Sequence, residues 1–331
     1  MFVKARIVAL VISALLALTL AEGQAAGPPD EASGKSAHDR VIEYWTPARV
    51  AGALPRQLLI ADPPLQLAPA ARPPGGGGNG GGSAVTGAPW LNGGLVKATT
   101  GKVLFTLGEI DYVCSGSVVT DLRLAESLVL TAGHCTFDDQ TDEWATNWMF
   151  VPDYEHAQSF DCQSTHYGCW TAAYLVTTTA WAAGDFNDDY AFAVMWPGGL
   201  DGGTLLEDAV GAQAIAFDLA HPRQVSAFGY PHAAPYDGQS LIYCAGTDQR
   251  DTWGGSTDFG LKCDMTGGSS GGPWFANFDA TTGRGELNSV NSFKYTRGPL
   301  SKYMFGPYFD GYTNKTYLAA QVVVTNTTVD P

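Results

Sequence analysis

From residue 102 onward, apolar and polar positions change over in short runs. The runs predict strands over 102–107, 112–119, 128–131, 148–151 and 191–196, then over 213–217, 225–230, 241–244, 260–265, 274–278 and 287–295. Many of these positions are β-branched or aromatic, and the runs are bounded by Gly, Asp, Asn or Pro, the residues that end strands. No long segment of period 3.6 lies between them, which argues against a sheet built from alternating strands and helices. Residues 121–128 suit one or two helical turns, and 301–321 is the other place for a helix. No period repeats at fixed length. Short strands at this density predict an all-β chain arranged as two small barrels or a sandwich.

The first quarter has a different texture. Lys4 and Arg6 precede the apolar run from Ile7 to Leu20, and Ala21, Gly23, Ala25 and Ala26 follow. A positive start, a short apolar stretch and small residues make 1–26 a secretory signal peptide. The run is short for a membrane span, and no other apolar stretch is long enough to cross a bilayer. Residues 27–85 are rich in Ala and Pro and read as a prosegment ending in a linker. Their one apolar cluster, Val41 to Pro47, is able to dock on the later domain. Gly75 to Gly82 is nearly all glycine, which makes it flexible. It is not a phosphate loop, because no strand precedes it and no Lys-Ser/Thr follows. The main domain is expected over 86–325, its first half about 100–200 and its second about 210–300.

Composition narrows the partners. The chain has 331 residues, 45% of them hydrophobic, enough for a sizeable core. Lys and Arg number 18 against 33 Asp and Glu, so the net charge is −15. Such a surface repels phosphate backbones and argues against nucleic acid. Export would place Cys114, Cys135, Cys162, Cys169, Cys244 and Cys263 where disulfides form. None belongs to a CxxC pair, so a zinc site of the usual spacing is not supported. No cofactor or metal is expected.

Three stretches carry chemistry. Thr266 to Pro273 sets serines among glycines. Glycine allows backbone N–H groups to turn toward a developing oxyanion, and small neighbours let a substrate lie close. Leu128 to Cys135 is a strand that runs into a small-residue turn and delivers His134. A Cys114–Cys135 bridge would staple the two strands that carry this turn, and a general base needs such rigidity. Asp185, Asp188 and Asp189 precede the apolar run at 191. Asp185 and Asp188 suit a solvated loop. Asp189 sits where burial begins and is placed to orient an imidazole. A calcium loop lacks the bidentate Glu it would need.

The order of these motifs identifies a resemblance. Thr131-Ala132-Gly133-His134-Cys135, Asp189-Tyr190-Ala191-Phe192 and Gly268-Ser269-Ser270-Gly271-Gly272-Pro273 resemble the His, Asp and Ser motifs of secreted chymotrypsin/trypsin-like serine peptidases (PA clan). Phe228-Gly229-Tyr230-Pro231 is similar to the bacterial and fungal branch, which includes glutamyl endopeptidases. The resemblance implies two six-stranded antiparallel β-barrels with the site in the cleft between them. It implies Ser270 as nucleophile, His134 as general base and acid, and Asp189 as its orienter. It places the oxyanion hole at the N–H groups of Gly268 and Ser270, and it makes proteins or peptides the substrates. The prosegment becomes a possible inhibitor or folding aid of its own enzyme.

The chain also departs from the family pattern. Ser269 stands where animal members have the Asp that pairs with a freshly cut N-terminus, and no activation sequence of that type lies near 85. Thr266 stands where the family has a cysteine. Cys263 lies three residues earlier, and the resemblance then implies Cys244 as its partner and a small Cys162–Cys169 loop. Asp264 matches the carboxylate that binds basic side chains in trypsin-like members. Ser292-Phe293-Lys294 resembles the strand that pairs with substrate and walls the pocket, and a Lys294 ammonium there would favour acidic side chains. Both specificities stay open.

Two rival functions are weaker. Gly268-Ser269-Ser270-Gly271-Gly272 contains the Gly-x-Ser-x-Gly elbow of α/β-hydrolases, but that fold needs a histidine after the serine, and the last histidine is His232. A catalytically silent binding protein on the peptidase fold would be expected to lose a triad residue or an oxyanion glycine. None is lost.

Overall fold

The computed structural model describes residues 35–61, 84–155, 159–254 and 256–331. The expected signal peptide and the Gly75 to Gly82 linker lie outside the described residues.

Six antiparallel strands make the first half. Ile110–Val119, Thr100–Leu107, Thr146–Pro152, Trp170–Thr178, Ala191–Met195 and Ser127–Thr131 neighbour one another in that order. Pairing of Ser127–Thr131 back onto Ile110–Val119 closes the barrel. Closure removes the free edges that an open sheet would leave. Thr100–Leu107 is buried along its whole length, with Val103, Leu104 and Phe105 in the core. Alternation could not show this strand as half-exposed, because it is covered on both faces.

The sequence pattern misses Trp170–Thr178. Its threonines look solvent-facing, yet Thr171, Thr177 and Thr178 are buried. Their hydroxyls find partners across the fold: Thr177 Oγ1 donates to the Tyr190 carbonyl at 2.9 Å, and Thr171 Oγ1 lies 2.9 Å from His38 Nδ1. The helical turn expected over 121–128 is absent. The Asp121 carboxylate accepts the N–H groups of Arg123 (2.7 Å) and Leu128 (2.9 Å), and these side-chain bonds replace a helical ladder. The helix expected over 301–321 is confined to Gly311–Ala320, and Tyr303–Gly306 is instead a strand beside Phe259–Lys262.

The second half is also all-β, laid out as two sheets. One runs Ala214–Ile215, Arg284–Val290, Pro273–Asp279, Gln224–Gly229, Ile242–Thr247 and Val85–Pro89. The other runs Gln249–Arg250, Phe259–Lys262, Tyr303–Gly306, Phe293–Tyr295 and Leu58–Ile60. Val225, Ile242, Leu261, Met265, Trp274 and Met304 pack between them. The Cys244–Cys263 disulfide joins the strand Ile242–Thr247 to the residue following Phe259–Lys262. The helix Gly311–Ala320 then returns to the first half, where Thr327–Val329 pairs with Trp170–Thr178.

Residues before the main domain are part of this structure. The helix Ala37–Tyr44 is started by a Ser36/Asp39 capping box, and Pro47–Gly52 by Thr46. The apolar cluster at 41–47 docks through Trp45, which is 3% exposed and donates from Nε1 to the Asn147 carbonyl at 2.7 Å. Val50 and Ala53 join the same core. Leu54–Pro55 pairs in parallel with Tyr112–Val113, and Leu58–Ile60 in parallel with Phe293–Tyr295.

Candidate active site

His134 sits in a 3-10 turn, Gly133–Cys135, directly after the buried strand Ser127–Thr131. Gly133 is required there, since a Cβ would lie 2.7 Å from the Trp181 ring. Trp181 itself is anchored by a bond from Nε1 to the Phe137 carbonyl at 3.1 Å. The Cys114–Cys135 disulfide forms and ties the turn to the neighbouring strand. Trp148 Nε1 adds a bond to the Cys135 carbonyl at 3.0 Å. The turn is thus held by a covalent staple and two indoles.

Asp189 follows a second 3-10 turn, Phe186–Asp188, and is fully buried. Its Oδ2 lies 2.8 Å from His134 Nδ1, and its Oδ1 accepts the His134 backbone N–H, also at 2.8 Å. Ser292 Oγ donates to the same Oδ2 at 2.5 Å. A carboxylate with three donors around it is held in one rotamer. It holds the imidazole with Nδ1 as the protonated nitrogen, which leaves Nε2 as the nitrogen able to take a proton. His134 Nε2 is buried and makes no hydrogen bond among the described residues.

Ser270 lies on the turn between the sheets of the second half. Ser115 reaches over from the first barrel and binds that turn: its N–H donates to the Ser270 carbonyl at 2.7 Å, and its Oγ to the Gly268 carbonyl at 2.9 Å. Asn291 binds the turn from the other side. Its Nδ2 donates to the carbonyls of Phe228 (2.8 Å) and Ser269 (3.0 Å), while its Oδ1 accepts from Trp274 Nε1 at 2.8 Å. Gly268 and Gly271 have φ of +96° and +77°, where other residues are strained. A Cβ on Gly271 would also lie 2.1 Å from Thr131 Oγ1. Sequence reasoning missed Ser115 and Asn291. The one available signal was adjacency: Ser115 follows Cys114, and Asn291 precedes Ser292.

Ser270 Oγ does not bond His134. It donates to the carbonyl of Arg56 at 3.1 Å, and the Gly268 N–H points at the same oxygen at 3.3 Å. Two of the groups expected to act on a substrate carbonyl therefore meet a carbonyl of the chain itself. Ser269 Oγ donates to the Thr266 carbonyl at 2.7 Å, a local bond in the position where a carboxylate would seek an N-terminus.

The specificity candidates are split. Asp264 is exposed, and its Oδ1 accepts from Tyr236 OH at 2.6 Å. Lys294 donates from Nζ to the carbonyls of Cys263 (2.9 Å) and Met265 (3.1 Å). Burial lowers its pKa, and the charge of Asp264 partly opposes this. Ser292 turns its side chain to Asp189, and Phe293 is core, stacked on Phe305. The Cys162–Cys169 and Cys244–Cys263 pairs are both bonded, as the resemblance implied. Cys114, His134 and Cys135 come close together, but both cysteines are spent in the disulfide, so they offer no metal site. No helix among the described residues is long and apolar enough to cross a membrane.

A closed six-stranded barrel, a second β-rich half and the approach of the Asp189–His134 pair of the first to the Ser270 turn of the second fit a chymotrypsin-like serine protease architecture. Solved structures agree. A thermostable serine protease, AL20, from an extremophilic microorganism is 40% identical, with a TM-score of 0.60 over 69% of this chain and 98% of that one. The protease Anisep from Arthrobacter nicotinovorans is 40% identical, with a TM-score of 0.59 over 68% of this chain and 95% of that one. A Glu endopeptidase, 15% identical with a TM-score of 0.54 over 72% of this chain and 98% of that one, shares the fold. The chain belongs to the chymotrypsin-like serine protease family. No protein-family model and no curated protein matches it.

Proposed function

We propose that this protein is a secreted serine endopeptidase working through Ser270, His134 and Asp189. The observation that carries the reading is the two-point clamp of Asp189 on His134, through ring and backbone, in the cleft where Ser270 is also bound. A serine hydroxyl is a weak nucleophile until a base takes its proton. His134 Nε2 takes it as Oγ attacks the scissile carbonyl, and Asp189 stabilises the imidazolium. The oxyanion is received by the N–H groups of Gly268 and Ser270. The imidazolium protonates the leaving amine, and water then releases the acyl group by the same path in reverse. Secretion rests on the N-terminal signal pattern and on the disulfides.

Ser270→Ala is expected to keep the fold and lose nearly all peptide turnover, and to take no fluorophosphonate label. Undiminished turnover would refute the assignment. Folded wild-type chain that never labels, even after its N-terminal residues are removed, would support a binding protein on the same scaffold. A peptide-library profile reads the pocket. Cleavage after Arg or Lys assigns it to Asp264, and cleavage after Glu or Asp assigns it to Lys294.

A further inference from the structure

Residues 54–61 of the same chain lie across the candidate site, and the direction in which they run determines their role. We infer that this segment is a built-in inhibitor threaded backwards, so that it engages the catalytic groups without being cut there. The inference rests on the peptidase reading above and concerns how that site is regulated.

The segment touches both walls in sequence. Leu54 and Pro55 run parallel to Tyr112 and Val113, and the Arg56 N–H donates to the Val113 carbonyl at 3.0 Å. The Arg56 carbonyl then takes hydrogen bonds from Ser270 Oγ and the Gly268 N–H. Leu58, Leu59 and Ile60 run parallel to Phe293, Lys294 and Tyr295, and the Thr296 N–H closes this ladder on the Ile60 carbonyl at 3.1 Å. Leu58 and Ile60 pack against the cluster of Phe293, Tyr295 and Phe305.

Polarity follows from chemistry. For attack on the Arg56 carbonyl, residues up to Arg56 form the acyl half, and Gln57 begins the leaving half. The acyl half should lie along 292–294 with the Arg56 side chain in the pocket near Asp264 and Lys294. The opposite is found. The acyl half lies beside Cys114, and the Arg56 guanidinium turns to Asp138 (3.3 Å) and the Tyr112 ring (5.0 Å to its centroid). The leaving half takes the pocket side, with Gln57 against Gly267. A chain of the opposite direction would pair antiparallel with both walls, whereas both pairings here are parallel. The bound carbonyl also accepts the hydrogen bond that the Ser270 hydroxyl donates, so Ser270 is not coupled to His134 Nε2. The preceding residues, anchored in the core through Trp45, Val50 and Ala53, hold the segment in place at high effective concentration.

The test compares full chains, wild type against Leu58→Asp/Ile60→Asp. The readouts are the rate of Ser270 labelling by a fluorophosphonate and hydrolysis of casein. The double variant is expected to label and hydrolyse at least tenfold faster; equal rates in both assays overturn the inference. Arg56→Ala, which removes only the Asp138 and Tyr112 contacts, is expected to raise the labelling rate about threefold. It serves if the double variant does not fold, and no change in it then overturns the inference. A synthetic peptide of residues 53–61 should inhibit the active variant competitively and remain whole, and scission between Arg56 and Gln57 would refute the backward threading. Faster labelling without any peptide hydrolysis would instead sink the peptidase reading and leave the occlusion intact.

Discussion

Ser292 Oγ donates to Asp189 Oδ2 at 2.5 Å, so the second half of the molecule steadies the carboxylate that the first half supplies. The hydroxyl shares its acceptor oxygen with His134 Nδ1 and restrains the carboxylate from turning. A hydrogen bond to a charged group is worth about 1.5 kcal/mol or more, which is about tenfold in rate if it acts in the transition state. Ser292→Ala is expected to lower kcat about tenfold, leave KM near its starting value, and be rescued by Ser292→Thr. Steady-state kinetics on one peptide substrate checks all three, and a change confined to KM would show that Ser292 contacts substrate instead.

Asp189→Asn tests the clamp itself. Asparagine cannot accept at both terminal atoms, so the bond to the His134 N–H or to Nδ1 is lost and the ring adopts the wrong tautomer. In the chymotrypsin-type triad where it is known, that change costs about 10⁴ in kcat. The same order of loss is expected here, with near-ultraviolet circular dichroism unchanged. A loss under tenfold would mean that Asp189 is structural only.

Lys102 is a buried charge outside the catalytic machinery. Its Nζ lies 3.7 Å from the centroid of the Tyr154 ring. Burial pulls its pKa from 10.5 down to about 7, with Asp237 opposing in part. A lysine depressed on folding makes the unfolded chain bind more protons between these two values, so stability rises with pH from about 7 to about 10. Below about 7 the full cost is present. Lys102→Met is expected to stabilise the protein by about 1–3 kcal/mol at pH 6 and to flatten the rise. Urea unfolding at pH 6 and pH 9 measures both, and an unchanged pH slope would contradict the burial argument.

The disulfides differ in what they close. Cys114–Cys135 spans 21 residues and Cys162–Cys169 spans 7. Longer loops lose more entropy on closure, so replacing the first pair by serines is expected to cost about 2–4 kcal/mol, and the second less. Only the first also holds the turn that carries His134, so kcat should fall in that variant alone. Guanidinium midpoints and kcat for both double variants decide this.

What the chain reveals by itself is local chemistry. Gly268, Ser270 and Gly271 announce a tight turn with a nucleophile. His134 follows a buried strand, and Asp189 marks the point where an acidic loop goes under. Each of these depends on near neighbours, so each is readable in one dimension. Short strands bounded by turn residues likewise gave the all-β class. The errors fall where tertiary contacts override local preference. The threonines of Trp170–Thr178 pass for surface residues because their hydroxyls are satisfied only after folding. Asp121 stops a helix with two side-chain bonds that spacing does not display.

Sequence alone therefore determined which residues could do the chemistry and in what order they occur. The tertiary structure decided which of them meet. It brought Ser115, Asn291 and Ser292 onto the turns that carry Ser270 and Asp189. It also turned Asp264 to Tyr236 and Lys294 to backbone carbonyls, and laid Arg56 across Ser270. The physical reason is separation along the chain. Contacts made only after the two β-rich halves and residues 35–61 pack together have no signature in the spacing of the residues that make them.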